Sequence, residues 1–412
     1  MGDCLLMTEN QNTHLRTSTC MLVAVLQLQV FRRLSLVGYM GILLIAYVYW
    51  FKSVPFTSKI KSKKNGFLFL ALYLFLPIFS LFTMPPSEYM TAIIRYGALM
   101  PFIVISFLYS EIIYDNVKDL IKIYILVVVA SGVLMIYQVP FGRISFFADD
   151  TAGRLGYERY GSLMGSTTTY GTASLAAIIG LHNYKPFKAW LNIVCEVFII
   201  IGGILCLSKA FFINIAIAYA LMFIFGNKNR KVNVKKITDV LLTVVIIVGV
   251  LYLVIRNTFI GNYFRDMFRY TFLNDSLGIN ATLNNRLTTR PANTFAYHGL
   301  PYIYYLILGV GFKGYSGVLG LTQYPMCHNN YFDILLAQGL PAMLALLSIY
   351  IFAFLKLRRS KDTNSCFVKE LVPFILINMA AGQWMYLTVS ASLFLCIIYA
   401  IYSNNERGIL ND

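Results

Sequence analysis

The sequence predicts an all-α polytopic membrane protein with about eleven transmembrane helices, within a range of ten to twelve. Hydrophobic residues make up 58% of the 412 residues and charged residues only 13%, about half the charged share of an average soluble domain. The apolar residues fall in long blocks, which match the ~30 Å hydrocarbon core of a bilayer when they are helical. Lys and Arg concentrate between alternate blocks, as they do on cytoplasmic loops.

Composition and motifs exclude several other classes of protein. The formal net charge is +16, but most of the excess lies in the basic loops, so we expect no nucleic-acid partner. The seven Cys show no spacing typical of a disulfide framework or a zinc site. No G-x-x-x-x-G-K-[ST] motif is present, which argues against a nucleotide-driven pump.

Two long stretches of predicted spans divide the chain. The first is 34–255, interrupted by an outer loop at 141–165, and the second is 331–402. The eleven apolar blocks are 34–51, 66–83, 91–109, 120–140, 166–181, 189–207, 210–226, 237–255, 331–355, 370–387 and 389–402. A long outer loop, 256–330, therefore precedes the last three spans.

The role of residues 1–33 is left open by the sequence. The apolar run 20–31 is too short to span alone, and would be either an interfacial helix or part of a first span. We expect no cleaved signal peptide, because no small-residue cleavage site follows this run.

Orientation follows from the loops 52–64, 227–236 and 356–369, which carry five Lys or Arg residues each. The positive-inside rule makes this face cytoplasmic, together with the tail 403–412. Eleven spans then place the N-terminus outside, which conflicts with the basic residues near it. A twelfth span would remove that conflict.

Arginines in the two outer segments do not fit the orientation rule. The positive-inside rule explains cations on cytoplasmic loops but not cations on the outer face. Guanidinium groups bind phosphate oxygens in a bidentate way. They therefore indicate an anionic ligand, although they would alternatively pair with nearby Asp and Glu residues or face water. The basic residues in question are Arg143, Arg154, Arg159, Arg265, Arg269, Arg286, Arg290 and Lys313.

Four further residues are candidates for function. Lys209 lies between two apolar blocks and would either reach the headgroups or bind a phosphate. His328 lies where the outer loop enters a span, and would either accept a proton from a hydroxyl or hold a loop carbonyl. Asp333 lies about one turn further on and would orient a neighbour. Glu196 lies within a predicted span, where it would be paired or belong to a proton relay, and the sequence offers no partner for it.

Several segments together resemble the bacterial O-antigen polymerase and O-antigen ligase family. HNNYFDILLAQGLPAM resembles that family's His-Asn segment, and GVGFKGYSG resembles the glycine-rich stretch before it. NNRLTTRPANTFAYHGLPYIYYLILGVG resembles its Arg-led helix. LSKAFFINIAIAY and RYGSLMGSTTTYGTASLAAI resemble its Ser-Arg segment and its Arg/Gly-rich outer turn. The order and spacing of these segments over 159–355 carry the resemblance.

This resemblance implies a membrane-embedded glycosyltransferase of GT-C-like architecture in the bacterial cytoplasmic (inner) membrane. Its donor would be an oligosaccharide on undecaprenyl pyrophosphate, and neither a metal nor another cofactor is expected. His328 matches the family's base on the acceptor hydroxyl, and Arg286 matches a pyrophosphate-binding Arg. Lys209 stands where the family usually has Arg, which keeps the charge but loses the bidentate fork. Arg159 matches a further basic position, and additional substrate contacts would come from Arg290 and Arg154.

The predicted reaction is polymerisation of lipid-linked repeat units into O-antigen or capsular polysaccharide, with a chain-length regulator and a flippase as further partners. One alternative is an O-antigen ligase, which transfers the finished polymer to lipid A–core or protein. An alternative from another class is a flippase for the lipid-linked oligosaccharide. We see no internal repeat between the two halves, and the basic residues crowd the outer loops, which both disfavour the flippase.

Overall fold

The computed structural model describes most of the predicted helical chain. It covers residues 9–28, 35–54, 64–82, 89–147, 158–164, 167–206, 208–225, 329–380 and 389–408, with short pieces between 262 and 309. The regular elements in these residues are helices, which confirms the predicted all-α class. The predicted span 237–255 and most of the predicted outer loop 256–330 lie outside the described residues.

The helices of the described residues are numbered in chain order. They are α1 (Glu9–Gln27), α2 (Leu36–Ser53), α3 (Lys64–Leu70), α4 (Tyr89–Leu108), α5 (Ser110–Asp115), α6 (Val117–Phe141), α7 (Thr167–Tyr184), α8 (Ala189–Leu205), α9 (Lys209–Phe225), α10 (Asn330–Gln338), α11 (Leu340–Leu357), α12 (Thr363–Ala380) and α13 (Val389–Gly408). A π-helical turn, Ala71–Phe75, and a 3-10 helix, Leu76–Phe82, continue α3.

Local sequence accounts for several helix ends. Ser35 accepts a hydrogen bond from the Gly38 backbone N–H at the start of α2 (3.0 Å). Asp362 accepts one from the Ser365 backbone N–H at the start of α12 (2.9 Å). Both are N-cap contacts, in which a side-chain oxygen satisfies an N–H that has no partner within the helix.

Membrane-spanning character is supported most directly by two helices. By length and composition α6 and α11 are long and apolar enough to cross a membrane, within the part of the chain whose side chains the structure describes. Length and composition therefore support fewer crossing helices than the eleven spans that the sequence predicts.

The helix ends that adjoin the basic loops meet at one end of the bundle, called the basic end here. The Tyr184 hydroxyl at the end of α7 donates to Asn364 Oδ1 at the start of α12 (2.8 Å). Two turns into α12, Glu370 Oε2 accepts from Asn183 Nδ2 (2.6 Å). The ends of α11 and α13 meet there as well, because Lys356 Nζ donates to the Tyr402 carbonyl (3.2 Å).

The N-terminal helix also begins at the basic end. Arg16 in α1 donates to Asp119 Oδ1 near the start of α6 (2.6 Å). At the other end of α1, Gln27 Oε1 accepts from the Ser390 hydroxyl (3.4 Å). The segment 1–33 therefore contains a 19-residue helix, α1, which includes most of the apolar run 20–31.

The predicted span 331–355 is divided into two helices, α10 and α11. Gly339 lies between them with a φ of 85°, a backbone conformation that L side chains rarely adopt. A Cβ at this position would also meet the Ile307 carbonyl group, whose carbon would lie 2.6 Å away. Two other blocks differ at their limits. The block 66–83 changes from α to π and 3-10 geometry, and the helix in block 370–387 begins at Thr363.

Candidate functional site

Arg159 is brought against the turn that joins α8 and α9, at the end of the bundle opposite the basic end. Its side chain is only 4% exposed. Its Nε donates to the backbone carbonyl of Cys206, which caps the C-terminus of α8 (3.3 Å). A cation at the C-terminus of a helix is favoured by the partial negative charge of the last carbonyl groups. Since α9 begins at Lys209, this contact brings two of the predicted cation-bearing segments together across 47 residues.

The segment that carries Arg159 is held by the end of α6. Gln138 is fully buried, and its Nε2 donates to the Gly161 carbonyl (2.9 Å). Its Oε1 accepts from the Ile144 backbone N–H (3.2 Å). The Gln138 side chain therefore holds the predicted outer segment 141–165 near its start and near its end.

Close packing fixes the turn before Lys209. Ser208 is 4% exposed, and a Cβ at Gly171 would lie 3.0 Å from its Cβ. The Cys206 thiol donates to the Gly203 carbonyl (2.9 Å). Phe211 in the first turn of α9 is buried against Gly203, where a side chain would collide with its ring. Small residues on α7 and α8 therefore let the turn approach closely.

Tyr170 joins three of these helices below the turn. Its buried hydroxyl lies 3.3 Å from the Val128 carbonyl and 3.4 Å from the Ile199 carbonyl. A Cβ at Gly202 would lie 2.5 Å from this hydroxyl oxygen, and one at Gly132 would lie 2.9 Å from it. The two glycines thus form the space that Tyr170 occupies between α6, α7 and α8.

The helix after His328, α10, presents buried polar groups at its start. The Asn329 side chain accepts from the Tyr331 backbone N–H (3.2 Å) and caps α10. Asn330 is 2% exposed, and its Oδ1 has no hydrogen-bond partner in the described structure. Asp333 is 4% exposed, so the residue predicted to orient a neighbour lies inside the bundle. A buried acceptor without a partner is costly, which makes Asn330 a notable group beside the predicted base.

The glycine-rich stretch before His328 meets the far end of α10. Gly309 has a φ of 68°, and a Cβ there would lie 2.5 Å from the Ala337 carbonyl oxygen. Gly309 therefore lies beside the C-terminal end of α10, about 12 Å from its N-terminal end at 1.5 Å per residue. Two segments that carry the family resemblance are neighbours in the fold.

Two buried amides were missed by sequence reasoning. Asn214 in α9 donates through Nδ2 to Asn378 Oδ1 in α12, and both side chains are buried. Asn378 Nδ2 donates in turn to the Phe374 carbonyl (2.9 Å). The Tyr331 hydroxyl of α10 donates to the Leu376 carbonyl on the same part of α12 (2.8 Å). The available indication was a lone Asn in each of two apolar blocks.

Most of the other predicted site residues lie outside what the structure describes. The backbone of Arg286 belongs to a short π-helix, Asn285–Thr289, and that of Lys209 begins α9. Their side chains, together with His328, Arg290 and Arg154, are outside the described residues. Arg143 is exposed.

Glu196 has a partner, in contrast to the sequence analysis. The Tyr219 hydroxyl of α9 donates to Glu196 Oε1 of α8. This contact gives the carboxylate the pairing that an acidic group within a predicted span requires.

Two electrostatic features complete the site. Burial raises the pKa of Tyr160, and the Glu158 carboxylate raises it further, so the phenol beside Arg159 remains neutral at physiological pH. Among the described residues, no group of three His, Cys, Asp or Glu side chains is placed to hold a metal ion.

Comparison with models of protein families and with curated protein sequences finds no match to this chain.

Proposed function

We propose that this protein is a membrane glycosyltransferase that polymerises polyprenyl-pyrophosphate-linked oligosaccharide repeats on the outer face of the bacterial cytoplasmic membrane. The observation that carries the proposal is the contact of Arg159 with the Cys206 carbonyl. It joins an outer arginine to the turn at which the Lys209 helix begins, and both segments belong to the family resemblance. The end of the bundle that holds them is the one opposite the basic end.

Exposed apolar side chains support the membrane location. Val37 is 83% exposed and Ile45 is 65% exposed on α2, and Trp190 and Ile193 on α8 are each 63% exposed. Faces of this kind are unfavourable in water and suit hydrocarbon. Twelve spans would consist of the eleven long helical segments of the described residues, with α10 and α11 counted as one, and the predicted span 237–255. An even number returns both termini to the cytoplasm, as the contact of Arg16 with Asp119 suggests.

The proposed reaction is a single displacement at the anomeric carbon of the donor. The acceptor hydroxyl oxygen attacks this carbon while the bond from carbon to the pyrophosphate oxygen breaks. His328 takes the hydroxyl proton, and polyprenyl pyrophosphate leaves with its negative charge. Fixed cations from Arg159, Lys209 and Arg286 would stabilise that charge in a partly dry site. Such a displacement inverts the configuration at the anomeric carbon.

The test is the length distribution of cell-surface polysaccharide in cells that carry His328→Ala or Lys209→Ala. We expect the ladder on a gel to collapse to a core with a single repeat while the variant protein is present in the membrane. His182→Ala and Lys188→Ala, two exposed residues at the basic end, serve as matched controls and should leave the ladder intact.

Other outcomes discriminate among the alternatives. Loss of all attached repeats, with lipid-linked polymer accumulating, would indicate a ligase instead of a polymerase. A normal ladder in His328→Ala cells would exclude His328 as the base. Absence of lipid-linked repeats from the outer leaflet would indicate a flippase.

A further inference from the structure

We propose that the last turns of α12 position the two halves of the active site, with Asn378 and Asn214 as positioning residues. They would hold the helix that begins at Lys209 and the helix that follows His328 in one fixed arrangement. The inference rests on the proposed function, because it assigns these two helices the leaving-group cation and the base.

The first observation is a directed hydrogen-bond chain between α9 and α12. Asn378 is fully buried and Asn214 is 4% exposed. Asn214 Nδ2 donates to Asn378 Oδ1, and Asn378 Nδ2 donates to the Phe374 carbonyl (2.9 Å). Rotating the Asn378 amide by 180° would place its oxygen against that carbonyl, so only one orientation satisfies the chain. The pair therefore fixes the register of α9 against α12.

The second observation comes from α10 and involves the same part of α12. The Tyr331 hydroxyl donates to the Leu376 carbonyl (2.8 Å). This carbonyl lies between Phe374 and Asn378 in the chain, so α9 and α10 are both bonded to α12 within five residues. Lys209 lies five residues before Asn214, and His328 lies three residues before Tyr331.

An apolar contact in place of the Asn214–Asn378 hydrogen bond would stabilise the fold equally well. It would define the position of α9 against α12 less sharply. Leucines at the two positions would pack the helices, yet dispersion contacts have no direction. Paired polar groups are retained where they fix one arrangement, since every alternative leaves a buried group unsatisfied. Catalysis needs such precision, because a 1 Å misplacement of reacting groups costs about a hundredfold in rate.

The experiment uses membrane vesicles that contain the full-length protein. Undecaprenyl-pyrophosphate-linked repeats, extracted from cells that lack the polymerase, are supplied at increasing concentration. Initial rates of polymer formation, divided by the amount of folded protein, give kcat and KM. The variants are Asn214→Ala, Asn378→Ala and the two combined.

Asn404→Ala is the matched control. Asn404 is also a buried amide that donates to the carbonyl four residues earlier, Ala400 (2.9 Å), and to a side chain of another helix, Ser110 (3.3 Å). It lies at the basic end, so its loss has a similar structural cost without touching the site.

We expect kcat to fall about 10- to 100-fold in each single variant with KM little changed, a loss that misplaced reacting groups would produce. The double variant should be no slower than the slower single variant, because the two side chains act as one unit. The control should keep the wild-type kcat.

A second variant guards against misfolding. Replacing both partners of a buried hydrogen bond by apolar groups of similar shape is often nearly neutral for stability. The combination Asn214→Leu with Asn378→Leu should therefore accumulate in the membrane and still be slow. A wild-type kcat in this variant would overturn the inference.

The remaining outcomes separate this inference from the proposed function. A loss of kcat in Asn378→Ala that only equals that of Asn404→Ala would overturn the positioning role, as would an increase in KM alone. If Lys209→Ala and His328→Ala keep the full rate in the same vesicles, the proposed function itself fails.

Discussion

The two ends of the helical bundle differ in the groups that their polar side chains contact. At the basic end a carboxylate joins two helices, as in the pair Asn183–Glu370, although Lys356 donates to a backbone carbonyl there. At the opposite end the contacts of Arg159 and Gln138 are made to backbone groups. A carbonyl orients a donor without carrying a full opposing charge, whereas a carboxylate neutralises a cation.

The ion pair is the clearest part of this difference. At the basic end Asp119 pairs with Arg16, while the buried Lys369 donates to the Ser360 carbonyl. At the opposite end the buried Arg159 also donates to a backbone carbonyl. Each end therefore holds a buried cation on a carbonyl, and under the proposed function the cation at the opposite end is the one that binds the pyrophosphate.

The largest expected effect is an all-or-none difference in chemical labelling of the two ends. Arg143→Cys should react with a membrane-impermeant maleimide in intact cells, because Arg143 is exposed at the proposed outer face. Arg359→Cys and Arg16→Cys, also exposed, should react only after the membrane is permeabilised. The background is reduced by replacing Cys4 and Cys327 with Ser, and the five native cysteines of the described residues are buried or partly buried.

Labelling of Arg16→Cys would decide the number of spans. Equal reaction of Arg16→Cys and Arg143→Cys in intact cells would place the start of α1 outside and support the predicted eleven-span topology. Equal reaction of all three variants would remove the distinction between the two ends altogether.

Much of the helical framework was predictable from the sequence. The blocks 189–207 and 210–226 correspond closely to α8 and α9. A long apolar block that enters a membrane forms a helix, because only a helix satisfies its backbone hydrogen bonds within the segment. The helix α1 was not recognised, since its first half is polar and carries Arg16. The break at Gly339 depends on the approach of Ile307, a contact between distant residues, although Gly followed closely by Pro was an indication.

The site was predictable as a set of residue types but not as an arrangement. The sequence singled out Arg159 and Lys209, yet nothing in it shows that Arg159 bonds to the carbonyl of Cys206. Asn214 and Asn378 were missed because a single amide in an apolar block resembles any tolerated polar residue. Their significance comes from meeting each other, and one sequence does not reveal pairing across 164 residues.

A smaller effect is expected from a substitution that probes the helix packing near the end opposite the basic end. In Gly202→Ala the new methyl would lie 2.5 Å from the Tyr170 hydroxyl oxygen and 2.7 Å from Gly132 Cα. We expect the free energy of unfolding to fall by about 1–3 kcal/mol, as for other overpacked cores. The midpoint of thermal unfolding in detergent measures it.

Gly41→Ala in α2 is the control for this substitution. Nothing lies within 4 Å of a Cβ at Gly41, so the variant should be neutral or stabilised by up to about 1 kcal/mol through helix propensity. Equal destabilisation of both variants would mean that the helices α6, α7 and α8 are not packed as closely as the structure shows.

The smallest effect concerns the N-cap of α12 at the basic end. Burial alone would raise the pKa of Asp362, but hydrogen bonds from Ser360 and Ser365 and from the backbone N–H groups of Ser365 and Asn364 outweigh it and hold the pKa below 3.8. A carboxyl whose pKa is lower in the folded state stabilises the fold at neutral pH. That contribution disappears as the pH falls through the folded-state pKa.

Asp362→Ala should therefore cost about 0.5–2 kcal/mol at pH 7, the usual value of an N-cap, and the difference from wild type should shrink below pH 3.8. The thermal midpoint in detergent, measured at pH 7 and pH 3, gives both values. Asp362→Asn keeps a capping oxygen without the charge, so it should retain most of the stability at both pH values. Since Asp362 lies at the basic end, the rate of the proposed polymerisation per folded protein should not change. A reduced rate would show that the two ends are coupled.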